Sequence, residues 1–404
     1  MEMERKIYRK AWHKLVGDSK PIFVIGPRQC GKTTLAFQIA KEYRSFSYLN
    51  YDVESEILLK YPFFYEKKKR EGFSKPLVIL DEIHKFRNWK AYIKKVYDRD
   101  HNDYDFLVTG SGRLDYYQRG GDSLIGRYEK TFMFPLSLSE FSSQNGIEAF
   151  LKNPLSLNMK SHSKQTFSLM NDLMNYSPFP EPFFKASKSF YRRWVDSSFT
   201  RVIKQDIQDS GGISDINKLM ALIKILPEYV GSTANYSNIA GVLLVSPNTA
   251  KRWLDVLEAF HIMFSIMPYT KLSRAIIKER KYYFYNYAVL KDEGKLFENF
   301  IAFELFRLVK YWNMLGETEF ELRYIRNKDN EEIDFVILSE GKPFLILEAK
   351  VGDSNPTKSV FKFQNILNVP AVMLTKSANV ENLIKNDKNK ILVISADRYI
   401  SSLS

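Results

Sequence analysis

The chain has 404 residues, 45% of them hydrophobic, a formal net charge of +13 and a single cysteine, Cys30. That length supports more than one buried core, the lone thiol excludes an internal disulfide and a clustered Cys/His zinc site, and the basic excess favours polyanions such as nucleic acid. No run is long and apolar enough for a membrane span, and the opening "MEMERKIYRKAWHKLVGD" lacks an apolar leader, so a cytoplasmic chain with no membrane partner is expected.

The first part alternates short apolar runs with helical patterns, which predicts a layered α/β domain with a largely parallel sheet. The expected strands are Ile22–Gly26, Ser47–Leu49, Leu77–Leu80, Phe106–Thr109 and Thr131–Phe134. A polar connector from Phe141 to Ser177 and a long helix from Tyr191 to Asp209 follow. Next come helices at Ile213–Tyr229, near Tyr236–Val242 and from Ser246 onward, with Ser246 as N-cap and Pro247 in the first helical position. Pairing of "IMFSIMPY" with "RKYYFYN" would complete a winged-helix-like module, in which Lys251 and Arg252 form a charge pair on the third helix. A helix from Lys295 to Trp312 and strands over the last hundred or so residues read as a second α/β unit. The expected domains are 1–145, an AAA-type P-loop core; 146–210, a helical connector; 211–287, the winged-helix-like module; and 288–404, a restriction-endonuclease-like α/β domain.

The chemistry begins at "GPRQCGKT", which fits G-x-x-x-x-G-K-[ST] between an expected strand and an expected helix. Glycines let the backbone turn its N–H groups toward phosphates, and the helix N-terminus favours anions. Gly26, Pro27, Arg28, Gln29, Cys30, Gly31, Lys32, Thr33 and Thr34 are therefore expected around ATP, with Lys32 on the β- and γ-phosphates and Thr33 on Mg²⁺. In "PLVILDEIHK", Asp81 is the expected second metal ligand and Glu82 the expected general base. Thr109 and Ser111, at the end of another strand, are placed to sense the γ-phosphate. Arg127 is the candidate arginine finger, acting in cis or from a neighbouring copy in a homo-oligomer, and His84 and His261 read as structural.

Near the C-terminus, "EEIDFVILSEGKPFLILEAK" sets Asp334 in one strand and Glu348 with Lys350 at the end of the next. Residues two apart in a strand share a face. This is the D…(D/E)-x-K pattern of restriction-endonuclease-like nucleases, with Asp334 and Glu348 as Mg²⁺ ligands, Glu298 as the extra acid and Lys350 as the catalytic lysine. The bland alternative is surface charge on a hairpin, or a nuclease fold kept as a binding scaffold.

The pieces "GPRQCGKTTL", "LDEIHKFRNWKAYIKKVYD", "TGSGR", "SLIGRYEKTFMFPLSLSEF", "FPEP", "LFENFIAFEL" and "EEIDFVI" together resemble the bacterial and archaeal AAA-type ATPases that end in a domain of unknown function. The resemblance implies an ATPase core, a winged-helix-like middle and a nuclease-like end, with nucleotide residues at Gly26, Gly31, Lys32, Thr33, Asp81 and Glu82. The chain departs from that group at "YYFYNYAVL", where Asn286 and Tyr287 stand in place of an Asp–Gly pair. Two readings follow: nucleotide turnover that drives a domain binding or cutting DNA, or a nucleotide-dependent switch whose nuclease-like end only docks.

Overall fold

The computed structural model describes residues 3–68, 72, 74–110, 124, 126–142, 147–156, 163–208, 213, 215–269, 280–316, 318–352, 355–386 and 389–403. It divides into two units, Met1–Pro135 with Ala259–His261, and Leu136–Glu258 with Ile262–Ser404.

Unit 1 is built on a five-stranded sheet in the order β2–β3–β4–β1–β5. These are β1 (Ile22–Ile25), β2 (Phe46–Asn50), β3 (Leu77–Asp81), β4 (Asp105–Gly110) and β5 (Glu129–Phe132). Every pairing is parallel. β1 and β3 are buried along their whole length, as expected for strands covered on both faces, and their apolar runs lack alternation for that reason. Because β4 lies between β1 and β3, the carboxyl ends of all three strands converge on one edge of the sheet. Ligands in open parallel sheets collect at that edge.

Unit 2 carries an eight-stranded mixed sheet, β12–β13–β11–β10–β9–β8–β6–β7. The members are β6 (Met263–Pro268), β7 (Lys281–Phe284), β8 (Phe320–Arg326), β9 (Glu332–Ser339), β10 (Lys342–Lys350), β11 (Ala371–Thr375), β12 (Glu381–Asn386) and β13 (Asn389–Ser395). β6 and β7 pair antiparallel, as their composition suggests, and β6 also joins β8, so one sheet runs across residue 287. The helix Glu293–Leu315 buries residues on nearly all sides, including Phe297, Phe300, Phe303 and Trp312, and forms the centre of this unit. Its Glu304 accepts from the Leu138 N–H at 2.7 Å and its Arg307 donates to Ser139 Oγ at 2.6 Å, fixing the first residues of unit 2 onto the helix.

Three further helices, Ile216–Ile225, Tyr236–Leu243 and Pro247–Ala259, precede β6. Ser246 caps the third by accepting from the Thr249 N–H at 3.1 Å. The expected helix ending at Asp209 is regular only over Lys188–Arg201 and continues as a wider π-turn over Val202–Ile207. Among the described residues no helix is long and apolar enough to cross a membrane.

Candidate nucleotide site and a second acidic cluster

The loop after β1 has its shape from two glycines. Gly26 takes φ +153°, and a Cβ there would stand 2.1 Å from the Met133 carbonyl oxygen, so no side chain fits. Gly31, at φ 103°, caps the helix Lys32–Ala40, whose first N–H groups face the loop. Lys32 is buried and its Nζ donates to the loop's own carbonyls at Gly26 (3.1 Å) and Pro27 (2.6 Å). The ammonium is therefore held inside the turn that would wrap the phosphates. Cys30 is fully buried with Sγ 3.5 Å from the Met133 carbonyl oxygen, so its thiol packs beneath the loop and only its backbone faces the cradle.

Asp81 ends β3 and gathers three hydroxyls. Its Oδ2 accepts from Thr33 Oγ1 at 2.9 Å and from Tyr48 OH at 3.0 Å, and its Oδ1 accepts from Thr109 Oγ1. Thr33 and Asp81 thus meet across the edge of the sheet, and a cation on a phosphate would enter between them. Mg²⁺ needs only one or two protein oxygens when phosphates supply others, so these residues fit it.

Glu82 follows with φ 56°, a left-handed conformation that an L-residue adopts at a cost of ~1–3 kcal/mol. Its sheltered Oε2 accepts no hydrogen bond; His84 Nε2 lies 3.5 Å away and Lys85 Nζ 3.9 Å away. Burial raises the Glu82 pKa above the usual carboxylate range, while Lys32, Lys85 and Arg28 pull it back down.

Sequence reasoning missed three residues here. Tyr48 bonds to Asp81 from β2; His84, read as structural, faces Glu82; and Arg5 buttresses the loop. Arg5 is buried and donates to the carbonyls of Cys30 (3.1 Å), Phe134 (2.8 Å) and Pro135 (3.3 Å), tying the phosphate loop to the last residues of unit 1. Tyr48 and Arg5 are both far in sequence from the residues they serve.

Arg127 is the first correction. It lies two residues before β5, whose Glu129 is in register with Ile22 at the start of β1, whereas the phosphate loop leaves the far end of that strand. The four residues of β1, at ~3.3 Å each, put ~13 Å of sheet between them. Arg127 instead pairs with Asp98 at 3.2 Å, so it does not serve the site of its own chain. Ser111 lies outside the described residues.

Of the C-terminal acids, Asp334 and Glu348 lie with Lys350 as expected, and the second correction concerns Glu298 alone. β9 and β10 bring Asp334 beside Glu348, and Lys350 Nζ lies 3.1 Å from Glu348 Oε1. Asp334 Oδ2 accepts from the Ala349 N–H at 2.9 Å, and Thr357 Oγ1 donates to both Glu348 oxygens, at 3.2 and 3.0 Å. Burial raises the Glu348 pKa, and Lys350 lowers it. Glu298 does not complete a metal trio with them. It accepts from Tyr283 OH at 2.8 Å and pairs with Lys281 at 3.7 Å, and among the described residues no three His, Cys, Asp or Glu side chains are placed to hold a metal ion. Asn286, at the departure from the family pattern, is buried and accepts from Ser177 Oγ (2.9 Å) and Tyr191 OH (3.2 Å), a structural knot of unit 2.

Comparison with known proteins finds three matched stretches along the chain. Residues 18–142 match an AAA domain, and residues 168–292 and 293–396 match two domains of unknown function, DUF8612 and DUF4143. Uncharacterized protein MJ1637 of Methanocaldococcus jannaschii is 21% identical over 337 residues, covering 77% of this chain and 68% of that protein. Uncharacterized protein Rv2008c of Mycobacterium tuberculosis is 23% identical over 264 residues, 65% of this chain and 52% of its own. The chain thus spans about half the length of that mycobacterial relative. Among solved structures, the Hsp104–ADP complex of S. cerevisiae aligns with a TM-score of 0.32 at 10% identity, covering 63% of this chain and 38% of that one. Cdc6p from Pyrobaculum aerophilum aligns at 0.26 and 12%, covering 66% and 88%. The family match, the parallel sheet and the glycine-bounded loop agree: residues 18–142 form an AAA-type P-loop domain with a nucleotide-binding site.

Proposed function

We propose that unit 1 hydrolyses ATP and that its nucleotide state controls what unit 2 binds. The observation that carries this is Glu82, a sheltered carboxylate with one oxygen accepting no hydrogen bond, beside the Thr33–Asp81 pair. In this reading Lys32 leaves the Gly26 and Pro27 carbonyls for the β- and γ-phosphates. Thr33 and Asp81 hold the metal, which supplies charge neutralisation at the phosphates when bound. Tyr48 and Thr109 keep the Asp81 carboxylate oriented, and Glu82 takes the proton from the attacking water. Arg127 sits at the opposite end of its own sheet, so as an arginine finger it would act only on another protomer, in a homo-oligomer.

For unit 2 the favoured reading is a nuclease-like scaffold that binds DNA without cutting it. The order helix, β8, β9, β10, helix, β11, with the acids at the β9–β10 pair, supports the nuclease-like fold. The engagement of Glu298 by Lys281 and Tyr283 supports the scaffold over cleavage. The net charge of +13 and the helices before β6, with Lys251 and Arg252 on the third, support a winged-helix-like contact to phosphates.

Two assays test the pair. ATP turnover should require Mg²⁺ and vanish in Lys32→Ala; turnover that persists in that variant refutes the first reading. Binding to double-stranded DNA should weaken steeply and linearly on a log–log salt plot, without cleavage in Mg²⁺ or Mn²⁺. Cleavage lost in Lys350→Ala would refute the scaffold reading.

A further inference from the structure

Lys281 is the most unusual charge in unit 2. Its side chain is 1% exposed, yet it stands at the start of β7 rather than in a hydrophobic layer. Its Nζ lies 3.7 Å from Glu298 Oε1 and pairs with Glu332, and it sits 5.3 Å from the centre of the Tyr324 ring. A buried lysine that stays charged is held there by paired acids.

The topology explains the convergence. Lys281 and Tyr283 are two apart in β7 and share a face, and both reach Glu298. Glu332 and Asp334 are likewise two apart in β9 and share a face, and Glu332 pairs with the same ammonium. Gly231 closes the Glu298 side: with φ +75°, a Cβ there would stand 2.9 Å from both carboxylate oxygens. The remaining lone pairs are partly taken, by Tyr283 on Glu298, by Arg326 on Glu332 at 3.7 Å and by the Ala349 N–H on Asp334.

We infer that Lys281 is the resident cation of this cluster: its ammonium takes up Glu298 and Glu332, the acids a divalent ion would need beside Asp334, and so keeps the cluster free of metal. A divalent ion would have to enter against a fixed positive charge and displace oxygens already bonded, while Mg²⁺ demands close octahedral oxygens. The cluster's negative charge thus holds the sheet and the central helix together instead of activating water. The inference deepens the scaffold reading of unit 2 but rests on the geometry around Lys281, and it stands whether or not the chain hydrolyses ATP or binds DNA.

The test uses the full chain, free of nucleotide, with Mn²⁺ alone as the probe, followed by electron paramagnetic resonance and thermal unfolding. Wild type and Asp334→Asn should bind the same amount of Mn²⁺. Lys281→Met should gain one further equivalent and unfold at a higher temperature in its presence, and Lys281→Met with Glu298→Gln should lose that gain. A wild-type Mn²⁺ signal that Asp334→Asn removes would overturn the inference, as would a folded Lys281→Met that gains none. Should Lys281→Met fail to fold, the comparison of wild type with Asp334→Asn decides alone: equal binding supports a closed cluster, unequal binding refutes it.

Discussion

Arg5 offers the sharpest test of how the phosphate loop is held. Replacing it by Met keeps much of the apolar stem but removes donors from three carbonyls, those of Cys30, Phe134 and Pro135. The bonds to Cys30 and Phe134 are the better two, and hydrogen bonds to charged groups contribute ~1.5–3 kcal/mol each, giving ~3–6 kcal/mol for the pair. The guanidinium's position 4.9 Å from the Tyr8 ring adds to the loss. Against a typical domain stability of ~5–15 kcal/mol this is a large fraction. Urea unfolding of the Arg5→Met chain should show a cost in that range, and ATP affinity should fall with it, because the Cys30 carbonyl is released within the loop. Arg5→Lys, which keeps the charge but not the fork, should recover only part of the loss. A cost below ~1 kcal/mol with unchanged ATP affinity would refute the buttress, since it would mean that water satisfies those carbonyls equally well.

Two further outcomes are expected. Gly26→Ala should weaken ATP binding by roughly tenfold or more, because the new methyl must push aside a backbone carbonyl 2.1 Å away; calorimetric titration with unchanged affinity would contradict the cradle geometry. The rate of ATP turnover should rise with pH through a midpoint above the ordinary carboxylate range, since burial raises the Glu82 pKa and only its ionised form is a base. Lys85 lowers that pKa, so Lys85→Ala should move the midpoint to higher pH; a downward shift in the pH–rate profile would remove Glu82 as the titrating group.

What the sequence made legible were the features encoded within a few residues. The loop from Gly26 to Thr33 has its spacing, and the acids at Asp81 and Glu82 end an apolar run whose length alone marks a buried strand. Four of the five strands of unit 1 fall where expected, while the fifth, expected at Thr131–Phe134, runs over Glu129–Phe132, because its polar EKTF carries no apolar run to mark it. What stayed hidden depends on distant partners. Arg5 and Phe134 are 129 positions apart, and Tyr48 reaches Asp81 across 33. Lys281 sits in an aromatic run whose pattern announces a strand and nothing more, and its three acids come from a helix and another strand. Arg127 misled because a cation in a polar loop carries no sign of which end of a sheet it occupies; only the parallel register of β5 with β1 decides that.

The central claim is that Glu82 spends the ATP that the loop binds. The most direct measurement follows radiolabelled ATP with Mg²⁺ on wild type and Glu82→Gln. The account predicts that the variant still binds and retains intact ATP while turnover falls by ~10²–10⁴-fold, the range for a lost general base. Turnover at the wild-type rate in Glu82→Gln would contradict it.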